Sequence, residues 1–236
     1  MKEIKRNIIA FFGDSLTEGF PGVSFFNILK EKFSDDELIN LGKGGDTVIS
    51  LYRRIKGLIF DKPFDISFLW IGTNDIFVKV SREYPVIKTL MKQPWAKNIE
   101  EFNHYYHLIL EFLRRISTKV VTVSPLFLGE NFNNPWNKEL LKLSKGIQEQ
   151  SELYKDVSYI NLREFFKMDS INENENYIAK HSMRVVLDAL ILKQKEQVDK
   201  KSSDRGLFYT LDGIHLNSKG AELVSDIFYN QIMNIL

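Results

Sequence analysis

A serine, a histidine and an aspartate are the parts from which a protein builds an activated hydroxyl nucleophile, and this chain holds a candidate of each beside glycines. Ser15 stands in Gly13-Asp14-Ser15-Leu16, where its hydroxyl can project from a turn between a strand and a helix. Asp212 and His215 share Asp212-Gly213-Ile214-His215, a spacing at which one loop can fold so that the carboxylate accepts an imidazole N–H and fixes its tautomer. Two more polar clusters, Gly44-Gly45-Asp46-Thr47 and Gly72-Thr73-Asn74-Asp75, supply donors for a developing oxyanion. These are the backbone N–H of Gly45 and the side-chain amide of Asn74, joined by the N–H of Ser15 itself. The chemistry such a set implies is attack by an oxygen nucleophile on a carbonyl. The chain has no cysteine, so thiolate nucleophiles, thiolate metal sites and disulfides are excluded.

These residues must be brought together by the elements between them. Four short apolar runs, Ile8 to Phe12, Leu38 to Leu41, Ile66 to Ile71 and Val120 to Val123, each precede a segment with helical apolar spacing. Phe102, Tyr105, Tyr106, Ile109, Leu113 and Ile116 form the stripe of an amphipathic helix. A fifth strand is expected over Val157 to Leu162, after a helix from about Asn137 to Tyr154. The chain closes with a helix whose face carries Ala221, Val224, Phe228 and Ile235, capped by Asn217 or Ser218. Strands alternating with helices require crossovers and therefore a mostly parallel sheet covered on both faces, a three-layer α/β class. Each of the first three clusters then follows a strand, and the fourth precedes the last helix. In such a sheet the carboxyl ends of the strands share one edge, where ligands bind.

The segments FFGDSLTEG (from Phe11 to Gly19), GGDT, GTND and DGIH resemble, in order and spacing, blocks I, II, III and V of the SGNH or GDSL hydrolases. Thr17 stands where the alternative Gly-x-Ser-x-Gly elbow requires glycine. The resemblance runs from Ile8 to His215. It implies that Ser15 is the nucleophile, that Gly45 and Asn74 complete an oxyanion hole, and that Asp212 and His215 are the other triad members. The expected architecture is an α/β/α sandwich with a mostly parallel, flavodoxin-like sheet of about five strands. The expected substrate is a small-molecule ester, with acetylated sugars, short-chain esters and lysophospholipids all open. No cofactor and no metal is implied. Two other readings stay beside hydrolysis: transfer of the acyl group to a sugar or alcohol by the same residues, and a silent carbohydrate- or lipid-binding module.

Other polar residues read more simply. Asp14, Asp46 and Asp75 each sit in a loop beside a glycine or asparagine and are expected to accept backbone N–H bonds. Glu101, His104 and His107 fall at i, i+3 and i+6, a spacing that can hold a metal, but the same helix carries an aromatic stripe and surface roles are favoured. His181 has no acidic neighbour in sequence. Trp70 reads as core, whereas Trp95 and Trp136 are candidates for pocket walls. The lysine run from Lys193 to Lys201 reads as a solvated face.

With 32 basic and 31 acidic side chains the formal charge is +1, which provides no overall field for nucleic acid or anionic membranes. No stretch approaches the roughly 18 uninterrupted apolar residues of a membrane span. The run from Ile8 to Phe12 is shorter than the roughly 7 to 15 residues of a leader core. A soluble, cytoplasmic protein of one domain, 1–236, is therefore expected. The interval between Leu162 and Asp212 is longer than the family resemblance suggests. It contains a polar run, Asn172 to Asn176, and a lysine-rich helical segment from about Met183 to Lys201, and is read as an insertion at about 168–206 over or beside the core.

Overall fold

The computed structural model describes residues 6–166, 177–178, 188, 190–192 and 194–236. Five strands, β1 (Ile8–Gly13), β2 (Glu37–Gly42), β3 (Phe64–Trp70), β4 (Ser117–Val123) and β5 (Val157–Ile160), form one sheet in the order β2-β1-β3-β4-β5. Every pairing in it is parallel. Each crossover carries a helix, as parallel neighbours require. Among the described residues the helices with defined bounds are α1 (Ser15–Glu18), α2 (Phe25–Lys32), α3 (Val48–Ile55), α4 (Thr73–Val80), α5 (Tyr84–Leu90), α6 (Ile99–Ile116), α7 (Pro135–Ser151), α8 (Lys195–Asp204) and α9 (Ser218–Ile235).

The three-layer α/β/α expectation is met because β1 is apolar on both faces. Ile9 and Phe11 point into a cluster with Phe25 and Leu29 of α2 and with Val224 and Phe228 of α9. Ala10 and Phe12 point the other way, into a cluster with Leu51 of α3, Phe102 and Tyr106 of α6, and Leu140 of α7. Phe11 stacks on Phe68 of β3 with ring centroids 4.8 Å apart and meets Phe26 edge-on at 5.5 Å. Burying one such ring stabilises the fold by about 1.5–3 kcal/mol, so the two aromatic layers clamp the central strands against slippage. In α6 the anticipated stripe is realised: Phe102, Tyr106, Ile109 and Leu113 are buried, while Tyr105 and Ile116 are partly so. Asn217, not Ser218, caps α9, its side chain accepting from the Gly220 N–H at 3.0 Å.

The observed boundaries differ from the expected ones by one to three residues at strand ends, most at β4, which begins at Ser117 instead of Val120. β5 stops at Ile160 and gives way to a 3-10 turn at Leu162–Glu164. The lysine-rich segment is helical at Asp188, Leu190 and Ile191 and again, as α8, from Lys195 to Asp204. The polar run Asn172 to Asn176, His181 and Met183 itself lie outside the described residues. Among the described residues no helix is long and apolar enough to cross a membrane.

What positions the site is the strand order. The chain leaves β1 for β2 on one side and later returns to add β3 on the other. The loops after β1 and β3 therefore diverge and open a crevice at the carboxyl edge, as in other doubly wound sheets with this order. Ser15 follows β1, Gly45 follows β2 and Asn74 follows β3.

Candidate active site

Ser15 is the first residue of α1, whose turn is held open at its start by Asp14. The Asp14 carboxylate accepts the Leu16 N–H at 2.9 Å. From there the Ser15 hydroxyl lies 3.0 Å from Nε2 of His215, two hundred positions later in the chain. The other ring nitrogen, Nδ1, lies 2.8 Å from Oδ2 of Asp212, while Oδ1 of Asp212 accepts the backbone N–H groups of Ile214 and His215 at 3.0 and 2.8 Å. Burial alone would push the Asp212 carboxyl up, but the His215 imidazole and these N–H bonds hold it below its ordinary value. An ionised carboxylate only accepts, so the proton sits on Nδ1 and Nε2 presents its lone pair to Ser15. Burial opposes the charged imidazole, yet the Asp212 carboxylate outweighs it and raises His215 above its ordinary value.

The Asp212–His215 loop is fastened from three sides. The carboxylate of buried Glu130 accepts from the N–H groups of Phe208, Tyr209 and Thr210 at 2.6, 2.7 and 2.8 Å and from the Thr210 hydroxyl at 2.8 Å. Gly129 donates to the Gly213 carbonyl at 2.7 Å. From α8, Ser202 donates to the Thr210 carbonyl at 2.7 Å, and Arg205, paired with Asp188, donates to the Leu211 carbonyl at 2.9 Å. The turn at Gly213 has φ +86°, and a Cβ there would come within 2.3 Å of the Tyr177 carbonyl, so the D-G-I-H turn needs its glycine.

The opposite wall of the crevice is made by the loops after β2 and β3. Asn74 is buried and its amide donates both hydrogens, to Asp14 Oδ2 at 3.1 Å and to the Asp46 carbonyl at 3.0 Å, while its oxygen accepts from the Tyr84 hydroxyl at 2.8 Å. Gly45 adopts φ +75°. Among the described residues its N–H has no hydrogen-bond partner. The carbonyls of Gly44 and Gly45 turn inward, onto Gln93 Nε2 at 3.0 Å and onto Lys88 Nζ respectively. The three aspartates expected to be structural serve as fasteners. Asp46 is bonded by Ser50 at 3.0 Å and Arg54 at 2.8 Å, and Asp75 accepts the N–H groups of Val48 and Ala96 at 2.9 and 3.2 Å. Burial pushes both Asp14 and Asp75 up to about 7, against the N–H bonds they accept.

Ser15, Gly45, Asn74 and His215 thus converge on one cleft of about 350 Å³. Its remaining wall is mostly apolar, made by Phe20, Pro21, Phe77, Ile87, Met91 and Ile214, with Glu18, Tyr84 and Lys88 set among them. Trp95 and Trp136 do not line it. Trp136 instead packs against the core cluster under α6 and α7. Trp70 is core. Glu101 accepts the Lys97 N–H at 2.8 Å at the start of α6. Among the described residues no three His, Asp or Glu side chains are grouped to hold a metal. Glu130, Tyr84, Lys88 and Gln93 were not singled out by sequence reasoning. The signal for Lys88 was its place on the face of α5 otherwise occupied by Tyr84, Ile87 and Met91; the others carry no local signal.

A search of curated proteins finds no match to the chain. Among solved structures, an acetyl xylan esterase shares 19% identity over 95% of this chain and 99% of its own, with a TM-score of 0.62. LAE5, an α/β hydrolase from the metagenome of Lake Arreo, Spain, shares 16% identity over 98% and 96% of the two chains, with a TM-score of 0.62. An acetylxylan esterase from Geobacillus stearothermophilus shares 14% identity over 96% and 94%, with a TM-score of 0.58. At such identities the likeness concerns the fold. The sequence itself carries the finer evidence: the family model of the GDSL-like lipases and acylhydrolases matches residues 11–223, a stretch that includes all four motif clusters, and the chain belongs to that family.

Proposed function

We propose that this protein is a serine hydrolase of carboxylic esters in which Ser15 forms the acyl-enzyme. The observation that carries the reading is the continuous chain of bonds Ser15–His215–Asp212, at 3.0 and 2.8 Å, opening onto the cleft. Membership of the family supports ester hydrolysis in general; the roles of individual residues and the choice of ester are the proposal.

In the proposed reaction the Ser15 oxygen attacks the ester carbonyl while Nε2 of His215 takes the hydroxyl proton. Asp212 stabilises the imidazolium that results. The carbonyl oxygen becomes an oxyanion, met by the N–H groups of Gly45 and Ser15. Asn74 joins them by turning one amide hydrogen from its internal acceptor toward the new charge. Collapse expels the alcohol, which receives the proton from His215. Water, deprotonated by the same imidazole, then cleaves the acyl-enzyme and returns Ser15 to its starting state.

The apolar wall of Phe20, Phe77, Ile87, Met91 and Ile214 favours an ester bearing an apolar group over a bare acetylated sugar. The cleft is at the small end of ligand pockets, which favours short or medium chains. Each methylene buried there contributes about 0.8 kcal/mol, so kcat/KM rises about fourfold per added methylene until the cleft is filled. A series of p-nitrophenyl esters from acetate to palmitate tests this. A rise to a maximum at short or medium length is expected; a maximum at acetate with monotonic decline removes the apolar-acyl assignment.

A further inference from the structure

The N–H of Gly45 belongs to the Gly44–Gly45 peptide, and the carbonyl of that same peptide accepts from Gln93 Nε2 at 3.0 Å. A trans peptide is planar with its C=O and N–H on opposite edges, so a donor that grips the carbonyl from one side turns the N–H to the other. Gln93 is buried behind the loop and is not part of the cleft wall, whereas Gly44 and Gly45 both are. The N–H is thereby directed at the cleft.

Gln93 is held in its turn. Lys88, also buried, donates from Nζ to Gln93 Oε1 at 3.0 Å and to the Gly45 carbonyl, and the Gln93 N–H returns to the Lys88 carbonyl at 2.9 Å. An ammonium only donates and a peptide carbonyl only accepts, so the amide has one orientation: oxygen toward Lys88, nitrogen toward Gly44. The neighbouring Pro94 carbonyl accepts from the Thr47 hydroxyl, which pins the same two segments a second time. No slack remains, since a Cβ on Gly45 would meet Lys88 Nζ at 2.7 Å and Gln93 Oε1 at 2.8 Å. A hydrogen bond at the carbonyl also polarises the peptide and strengthens its N–H as a donor.

We infer that Gln93, oriented by Lys88, is a positioning residue for the oxyanion site: it acts through the Gly44–Gly45 peptide, never touching substrate, and keeps the Gly45 N–H aimed and polarised. This rests on the reading of Ser15 and Gly45 proposed above. It extends that site to α5 and the turn after it, a segment outside the four motif clusters.

Two variants test it. Gln93→Glu keeps an acceptor for Lys88 and removes the donor to Gly44, whereas Gln93→Asn keeps the amide and shortens its reach. Both are compared with wild type in hydrolysis of p-nitrophenyl butyrate and in inhibition by a boronic acid, which forms an anionic tetrahedral adduct on a serine. The expected result is a fall in kcat of about tenfold or more with KM unchanged. The boronate inhibition constant should rise by the factor by which kcat/KM falls, because both report the charged tetrahedral species. A residue that served only to hold the fold would lower the thermal midpoint without that parallel. If Gln93→Glu does not fold, Gln93→Asn alone decides. A folded variant with wild-type kcat and wild-type boronate affinity, or one altered in KM alone, overturns the positioning role. Ser15→Ala is run beside them. If it is inert while the Gln93 variants match wild type, only the positioning role fails; if it retains activity, the reading of the nucleophile fails and the positioning role with it.

Discussion

The two walls of the cleft are built by different means. The wall that carries His215 and Asp212 is a short loop in which carboxylate and imidazole are three residues apart, and it is braced by Glu130, whose carboxylate takes four hydrogen bonds, with single bonds from Gly129, Ser202 and Arg205. The wall that carries Gly45 and Asn74 is assembled from two separate loops, and its bracing is a buried network of Asp14, Asp46, Tyr84, Lys88 and Gln93. In the first, local spacing does most of the positioning. In the second, a backbone N–H and a side-chain amide are aimed only because distant side chains hold the peptides and the carboxamide in one orientation. The contrast suggests that the base side tolerates change in its surroundings better than the oxyanion side does.

The largest effect that sharpens this comparison is expected at Asp212. Asp212→Asn presents a neutral group to His215 and allows the wrong tautomer, so kcat should fall about 10⁴-fold, as in other triads. Steady-state kinetics on a short ester would measure it, and a rate within tenfold of wild type means that another group orients the imidazole.

Next is Asn74→Ala, which removes one of the proposed oxyanion donors and should lower kcat by about 10² to 10³ with the fold retained. Its loss also removes the partner of the Tyr84 hydroxyl and of Asp14 Oδ2, so the comparison should be made on protein shown by circular dichroism to be native. Undiminished turnover would take Asn74 out of the hole and leave Gly45 and Ser15 as its donors.

Glu130→Gln tests the brace behind the base. The amide cannot replace a carboxylate that accepts four bonds, and the cost should be about 2 kcal/mol of stability, the range for hydrogen bonds to a charged group. Urea unfolding would register it, while kcat should fall far less than in Asn74→Ala, because the three-residue spacing still pairs Asp212 with His215. A fall in kcat as large as that of Asn74→Ala would show that the loop depends on its brace and would break the comparison.

The smallest effect is a shift in pH dependence. Because the Asp212 carboxylate raises His215, and the neutral imidazole is the base in the proposed reaction, kcat/KM should climb with pH through an inflection above the ordinary value of about 6.5 and be lost as pH falls below it. In Asp212→Asn the residual activity should show that inflection moved to lower pH. An inflection that stays in place would assign it to a group other than His215.

Much of the architecture could be read before the structure because apolar runs alternate with helical stripes, and because β1 is apolar on both faces, as a central parallel strand must be. The four residues that converge on the cleft, Ser15, Gly45, Asn74 and His215, and Asp212 behind His215 were legible for a related reason: each lies in a contiguous cluster at a strand end or before the last helix. Glu130, by contrast, meets its partners some eighty positions later, and Gln93 meets Gly44 some fifty positions earlier. No periodicity or local motif marks pairings of that length. Lys88 left one trace, a lysine on the inward face of an otherwise apolar helical turn, whose meaning depends on what packs against that face.

The most direct test of the central claim, that Ser15 is the nucleophile, is covalent labelling with a fluorophosphonate followed by mass spectrometry of the digested protein, on wild type and on Ser15→Ala, alongside hydrolysis of p-nitrophenyl butyrate. The account predicts one adduct, on the peptide containing Ser15, in an active wild type, and neither adduct nor turnover in the variant. A folded wild type that neither labels nor hydrolyses the ester, or a Ser15→Ala protein that still does both, would contradict it.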